Sequence, residues 1–189
     1  MAVTLSPDIT LNLTMFIEGL YNSSTDLQVS DTKKVFLRNT VSPFAKVDSA
    51  KAVISANGSA SLLFGNAPTG IYYIVSTHRN SLETWSKSGG ESLTRGIAVS
   101  YNFSNAFSQA FGNKMKQVDS SPLRYADYSG DVNQDCLINL TDIISIYNDA
   151  GIFVTGYNLT DVNGDNISDL TDVIIANNNS NNFVGRITP

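Results

Sequence analysis

Residues 131–142 read DVNQDCLINLTD, and residues 161–172 read DVNGDNISDLTD. Laid over each other, the two stretches carry oxygen-bearing side chains at positions 1, 3, 5, 9 and 12. In the first these are Asp131, Asn133, Asp135, Asn139 and Asp142; in the second they are Asp161, Asn163, Asp165, Asp169 and Asp172. Position 7 is apolar in both, Leu137 and Ile167, so only its backbone carbonyl can serve as a donor. The repeat runs on past the twelve-mers: Leu140-Thr141 matches Leu170-Thr171, Ile144 matches Ile174, and Phe153-Val154 matches Phe183-Val184. A single acidic turn arises easily by accident, whereas two in register at one offset do not.

This spacing is the EF-hand pattern for calcium. The ion takes six to eight oxygens in a flexible shell, and a tight loop with oxygens on alternate residues wraps one ion. Two calcium ions are therefore expected, one per loop. Position 6 of such a loop favours glycine, because the backbone turns left-handed there. Here it is Cys136 and Asn166; asparagine tolerates that conformation, while cysteine loses roughly 1 kcal/mol. The first loop also has Asn139 where the second has Asp169, so the second is expected to bind more tightly. After each loop the periodicity predicts a short helix. One starting near Leu140 would present Leu140, Ile143, Ile144 and Tyr147 on one face, and its twin Leu170, Val173 and Ile174. Neither half is large enough to bury such a face alone, so the two are expected to pack together about a pseudo-two-fold axis.

From about Tyr128 to Pro189 these features resemble a type I dockerin domain, in which both loops end in Asp as they do here. The resemblance covers about a third of the chain. It implies two calcium ions, an extracellular setting and a protein partner, typically a cohesin-like β-sandwich. It also implies partner recognition through positions 10 and 11, here Leu140, Thr141, Leu170 and Thr171.

Composition sets outer limits. The 189 residues suffice for one medium domain or two small ones. One cysteine excludes an intramolecular disulfide. The opening MAVTLSPDIT lacks the basic and apolar regions of a secretion signal, so an extracellular setting would require a signal that has been removed. Up to Gln117 ten Lys and Arg stand against seven Asp and Glu, a net of about +3; beyond it two stand against ten, about −8. A front of that slight charge does not point to nucleic acid.

In the first two-thirds, Ile9, Leu11, Leu13, Met15 and Ile17 alternate with polar residues, as in a half-buried strand. KKVFLRN, AKVDSAKAVIS, SASLLFG, GIYYIVSTH, LETWS and GIAVSYNFS follow as strands between turn-rich stretches. The expected fold is a β-sandwich of about seven antiparallel strands over residues 1–117. A connector over 118–127 and a small α-helical dockerin-like domain with two calcium loops over 128–189 complete it. NAPTGIYYIVSTH is similar to the late strand of transthyretin-like and immunoglobulin-like modules. The whole arrangement is similar to the C-terminal regions of secreted bacterial surface proteins.

No catalytic constellation stands out. His78 is the single histidine, and no Gly-x-Ser-x-Gly elbow accompanies it. Ser30 to Lys33 fits Ser-x-x-Lys, as accident allows in a serine-rich chain, and nothing pairs Glu18, Glu83 or Glu91 around a glycosidic bond. The chain is expected not to be an enzyme. The leading expectation is an extracellular, calcium-dependent structural protein whose dockerin-like module docks on the sandwich of another copy, building a filament. The first alternative is an adaptor binding a separate cohesin-like scaffold. The second is a carbohydrate-binding surface module using Tyr72, Tyr73, Trp85 and Tyr101, with one of the adjacent tyrosines exposed.

Overall fold

The computed structural model describes residues 7–189; most of the stretch read for a secretion signal, residues 1–6, lies outside them. Thirteen strands form among the described residues. They are β1 (Ile9–Thr14), β2 (Phe16–Ile17), β3 (Tyr21–Asn22), β4 (Leu27–Gln28), β5 (Asp31–Asn39), β6 (Lys46–Ile54) and β7 (Ser59–Phe64), then β8 (Gly70–Thr77), β9 (Thr84–Trp85), β10 (Glu91–Leu93), β11 (Ala98–Asn102), β12 (Lys116–Ser120) and β13 (Leu123–Asp127). Two helices follow, α1 (Leu140–Ala150) and α2 (Leu170–Ser180). No helix among the described residues is long and apolar enough to cross a membrane.

Two sheets face each other as a β-sandwich. One has the order β11-β1-β7, the other β10-β8-β5-β6 with β9 beside β8. The alternation of β1 sends Ile9, Leu11 and Leu13 inward to meet Val35, Leu37 and Ile74 of the second sheet. Fully burying side chains of this size contributes about 1.5–3 kcal/mol each, so this inner layer is the main source of cohesion. The second sheet is covered on its other face as well. There Tyr73, Val75 and Trp85 pack with Phe36, Phe44 and Phe111, their rings meeting edge to face. Tyr72 therefore enters one core and Tyr73 the other, at 4% and 5% exposure. The expectation that one of them is exposed fails because the sheet has no open face at this point.

The expected fold class needs correction. Among the described residues the chain is mostly β, with two short α-helices of eleven residues each, and no separate α-helical domain follows the sandwich. Nor are the strands uniformly antiparallel: β1 runs parallel to β11, and β13 parallel to β2. Residues 118–127 are no bare connector, since they supply β13 and most of β12, a hairpin joined to β2 in a third sheet. The physical reason is a buried polar seam that makes the loops and helices part of the β-structure.

The seam is centred on Lys33 of β5 and Asp127 of β13, an ion pair with both side chains fully buried. Ser81 donates to the same carboxylate at 2.7 Å. Around it, Asn80 donates to the carbonyls of Leu159 and Asp161 at 3.2 and 2.7 Å. Asn179 of α2 donates to Glu18 at 2.6 Å and to the carbonyl of Ser129 at 2.8 Å. Arg79 contacts Asp31 at 3.1 Å, donates to the carbonyl of Asn158, and lies 4.5 Å from the centre of the Tyr157 ring. Tyr157 in turn donates to Asp31 at 2.8 Å.

Removing one member of a buried pair leaves an uncompensated charge in low dielectric. Lys33→Met should therefore destabilise the protein by about 3–5 kcal/mol, and Lys33→Met with Asp127→Leu should recover much of that loss. Urea unfolding followed by Trp85 fluorescence measures both; an unchanged midpoint for the single variant would contradict this role.

Candidate functional site

Each acidic twelve-mer is a loop that runs into the first turn of a helix. At position 9, Asn139 and Asp169 are N-caps, each accepting from the amide two residues on, Thr141 or Thr171, at 2.7 Å. Asp142 and Asp172 at position 12 close the reciprocal capping box. Both are fully buried and reach back across their loops. Asp142 accepts from the amides of Val132, Asn133 and Asn139 at 3.0, 3.2 and 3.0 Å. Asp172 does the same with Val162, Asn163 and Asp169 at 2.7, 2.9 and 2.9 Å. Asn133 with Asp135, and Asn163 with Asp165, form matching side-chain turns. At position 7, Leu137 bridges to Gly185 and Ile167 to Thr155, through the carbonyls of Cys136 and Asn166 and the amides of Ile138 and Ser168. The backbone at position 6 turns left-handed, with φ of 74° at Cys136 and 69° at Asn166.

The structure thus brings the sequence-selected residues of each repeat into one loop. Among the described residues, however, no three His, Cys, Asp or Glu side chains converge as a metal cage. The position-12 carboxylates are turned onto amides, and asparagine or backbone oxygens make up much of each donor set. The first loop still has the signature of a missing positive partner. Asp131 is 1% exposed, and its Oδ1 has no hydrogen-bond partner. Burial, with the charges of Asp142 and Asp135, pushes its carboxyl up to about 7. Burial likewise raises Asp142, Asp161 and Asp172. A cation among these oxygens would satisfy the orphan and relieve the repulsion, so the residues fit one. The second loop differs, because Arg79 lies 3.6 Å from Asp161 Oδ2. That guanidinium offsets the additional carboxylate, Asp169, that the sequence counts there.

The helices present an unexpected face. Their shared core is Ile146, Ala176, Val132 and Val162, with Ile143, Val173 and Ile175 packed beside them. The periodicity places Leu140, Ile144, Tyr147, Leu170 and Ile174 inside, yet they are 50–65% exposed. The stripe is rotated because Val132 and Val162, at position 2 of each loop, enter the core from the loop side and select Ile146 and Ala176 as their neighbours. That repeated valine was the signal available in the sequence. The outward stripe, flanked by exposed Thr141 and Thr171, borders a shallow cavity of about 190 Å³ lined by Tyr147, Ala150, Gly151, Phe153, Leu170 and Val173.

The remaining candidates sit in structural roles. His78 is buried, with Nε2 3.0 Å from Asp31 Oδ2, and burial lowers its pKa. Lys33 of the Ser-x-x-Lys match belongs to the seam. Glu18 meets Asn179, Glu83 meets Arg186 at 2.9 Å, and Glu91 meets Lys87 at 3.1 Å. Tyr72, Tyr73, Trp85 and Tyr101 are all within 5% of full burial, so they form no platform on which a sugar could stack. That removes the aromatic platform expected for the carbohydrate-binding alternative.

No family model matches the chain. No curated protein matches it either. Among solved structures, the chain is similar to a chain in each of two crystal structures of a type II cohesin–X-dockerin complex from Acetivibrio cellulolyticus. With a C-terminal interface mutant of that complex it shares 17% identity and a TM-score of 0.53, over 95% of this chain and 97% of that one. With an N-terminal interface mutant it shares 20% identity and the same TM-score and coverage. At this identity the likeness is one of fold. It runs through nearly the whole chain.

The assignment of inner and outer helix faces has a direct check. Ile146→Ala should cost about 2–5 kcal/mol, as for a buried large-to-small change. Ile144→Ala should stay within about 0.5 kcal/mol, as for an exposed position. Urea denaturation monitored by helical circular dichroism compares them, and equal losses would put the wrong stripe inside.

Proposed function

We propose that this chain is a non-enzymatic extracellular adaptor that docks on a separate cohesin-like β-sandwich through the outward face of α1 and α2. In this reading each twelve-residue loop holds a calcium ion. The observation that carries it is the exposed stripe of Leu140, Ile144, Tyr147, Leu170 and Ile174. Apolar surface repeated on two adjacent helices and rimmed by threonines is what a protein interface uses. The residues implied for recognition by the resemblance, Leu140, Thr141, Leu170 and Thr171, all lie on this exposed surface. The solved structures similar in fold are complexes between a cohesin and an X-dockerin, which supports a partner of that class.

The self-assembling filament has less support. The basic front and acidic back already meet inside one chain, where Arg79 sits between Asp31 and Asp161. The side of the helical pair facing the sandwich is occupied by the seam, so a partner has the outer face left to use.

Bound calcium would neutralise the clustered carboxylates of each loop. Asp131, Asn133, Asp135, Asn139, Asp142 and the Leu137 carbonyl would hold one ion. Asp161, Asn163, Asp165, Asp169, Asp172 and the Ile167 carbonyl would hold the other. The loops set the start and direction of both helices through their caps, so the docking face depends on loop closure. With Arg79 beside the second loop, the two affinities should lie closer together than the carboxylate count alone implies.

Calorimetry should find two calcium ions per chain. Binding to a purified cohesin-like β-sandwich should require calcium and vanish in excess chelator. Leu140→Asp with Leu170→Asp should weaken that binding at least tenfold, about 1.4 kcal/mol or more, while leaving the urea midpoint nearly unchanged. Undiminished affinity in the double variant would remove the helix face as the docking surface. Calcium-dependent growth of polymers from the pure chain, seen by light scattering, would return the reading to self-assembly.

A further inference from the structure

The outer face of β5 and β6 gathers positive charge around one aromatic ring. Lys34 Nζ lies 4.8 Å from the centre of the Phe36 ring, Lys46 Nζ 5.6 Å, and the Arg38 guanidinium carbon 5.8 Å. Arg38 also lies 5.3 Å over Trp85. The strand register places Lys34 opposite Lys51 and Arg38 opposite Lys46, with Phe36 opposite Ser49 between them. Four cations thus stand in two like-charged cross-strand pairs, an arrangement that destabilises a sheet. Among the described residues, none of the four forms an ion pair with a carboxylate. The one acid on β6, Asp48, is buried and accepts from the amides of Asn66 and Ala67 at 2.7 and 3.0 Å.

The second observation is the edge itself. β6 is nine residues long and ends its sheet; among the described residues it pairs with β5 on one side and with no strand on the other. An unpaired edge of this length offers backbone donors and acceptors to a further strand. Its lysines repel a second copy of β6 and attract a strand of opposite charge, which makes the repulsive element part of the specificity.

We propose that β6 is a docking edge for an extended acidic polypeptide segment of a separate protein. The segment would add as the next strand of the sheet and set its carboxylates against Lys46 and Lys51, with Lys34 and Arg38 behind them. A polypeptide fits better than an acidic polysaccharide because the free edge calls for backbone amides to pair with it. This surface shares no residue with the loops or the helix face, so it would give the adaptor a second attachment point.

The test uses the full chain and a synthetic decapeptide of alternating Val and Glu, with a Val-Lys decapeptide and a heparin fragment as comparisons. Fluorescence anisotropy should show the Val-Glu peptide binding and weakening at least tenfold between about 50 and about 300 mM salt, as a screened charge contact does. Hydrogen exchange should show β6 amides gaining protection in the complex. Lys46→Glu with Lys51→Glu, both at exposed positions, should lose at least tenfold in affinity with the circular dichroism spectrum unchanged. Lys46→Gln with Lys51→Gln should lie between, which guards against a variant that misfolds. The proposal is overturned if the Val-Glu peptide does not bind, or binds without protecting β6. It is also overturned if heparin binds as tightly through the same lysines, which would mark a general polyanion surface.

Discussion

Lys33 and Asp127 face each other with no access to water, and the rest of the architecture is arranged around that pair. Taking an ammonium and a carboxylate out of water costs several kcal/mol for each ion, and their attraction returns it only when neighbouring polar groups complete the shell. Ser81 supplies one such contact to Asp127. The same stretch of chain, His78 to Ser81, supplies most of the contacts that hold the loops. Arg79 and Asn80 bind carbonyls of residues 158, 159 and 161, and Gly130 donates to the Asn80 carbonyl at 2.8 Å. A buried polar cluster of this kind adds little net stability over an apolar core. What it does is penalise every arrangement in which its members lose their partners, and so it fixes where the loops and helices sit on the sandwich.

That placement has consequences at the loops. Because the seam holds residues 158–161 from one side, the second loop has Arg79 against its Asp161, while among the described residues no cation forms an ion pair with a carboxylate of the first. Asp131 is left with an oxygen that no donor reaches, whereas Asp161 has amides on both oxygens and a guanidinium nearby. Two nearly identical sequences therefore sit in electrostatically different surroundings. The helices inherit their orientation from the same source. Their inner faces pack on Val132 and Val162 of the loops, and Asn179 anchors α2 to Glu18 and Ser129. The apolar stripe that remains points to solvent.

The second sheet also does more than close the sandwich. A sheet buried on both faces gives up the usual alternation of inside and outside, and β8 accordingly reads as an unbroken buried run from Tyr72 to Ser76. Its outer layer of aromatic rings stops at β5 and β6, where Phe36 is only half-buried and the cations gather. Burial of the rings is thus complete where a loop or another strand covers them and incomplete at the edge, which is where the exposed charge lies.

Elements whose signal is local were legible in the chain before it folded. The alternation from Ile9 marked β1, turn residues bounded most of the longer strands, and the paired twelve-mers located the loops and the starts of α1 and α2 at Leu140 and Leu170. Those features depend on side-chain periodicity and on caps that reach only two or three residues, so neighbours in the chain suffice to reveal them. Long-range packing settled everything else. The parallel pairings of β1 with β11 and β13 with β2 join segments far apart in sequence, and no local pattern encodes which distant strand lies alongside. The adjacent tyrosines 72 and 73 look like an inside–outside pair until a second layer covers the far face of their strand. Leu140 and Ile144 look like core until Val132 and Val162 fill the place they would have taken. Lys33, in a Ser-x-x-Lys stretch that means nothing by itself, becomes the buried centre of the molecule because Asp127 arrives from ninety-four residues away. A charge is recognisable in sequence; whether it has a partner, and whether water reaches it, is a property of the folded chain alone.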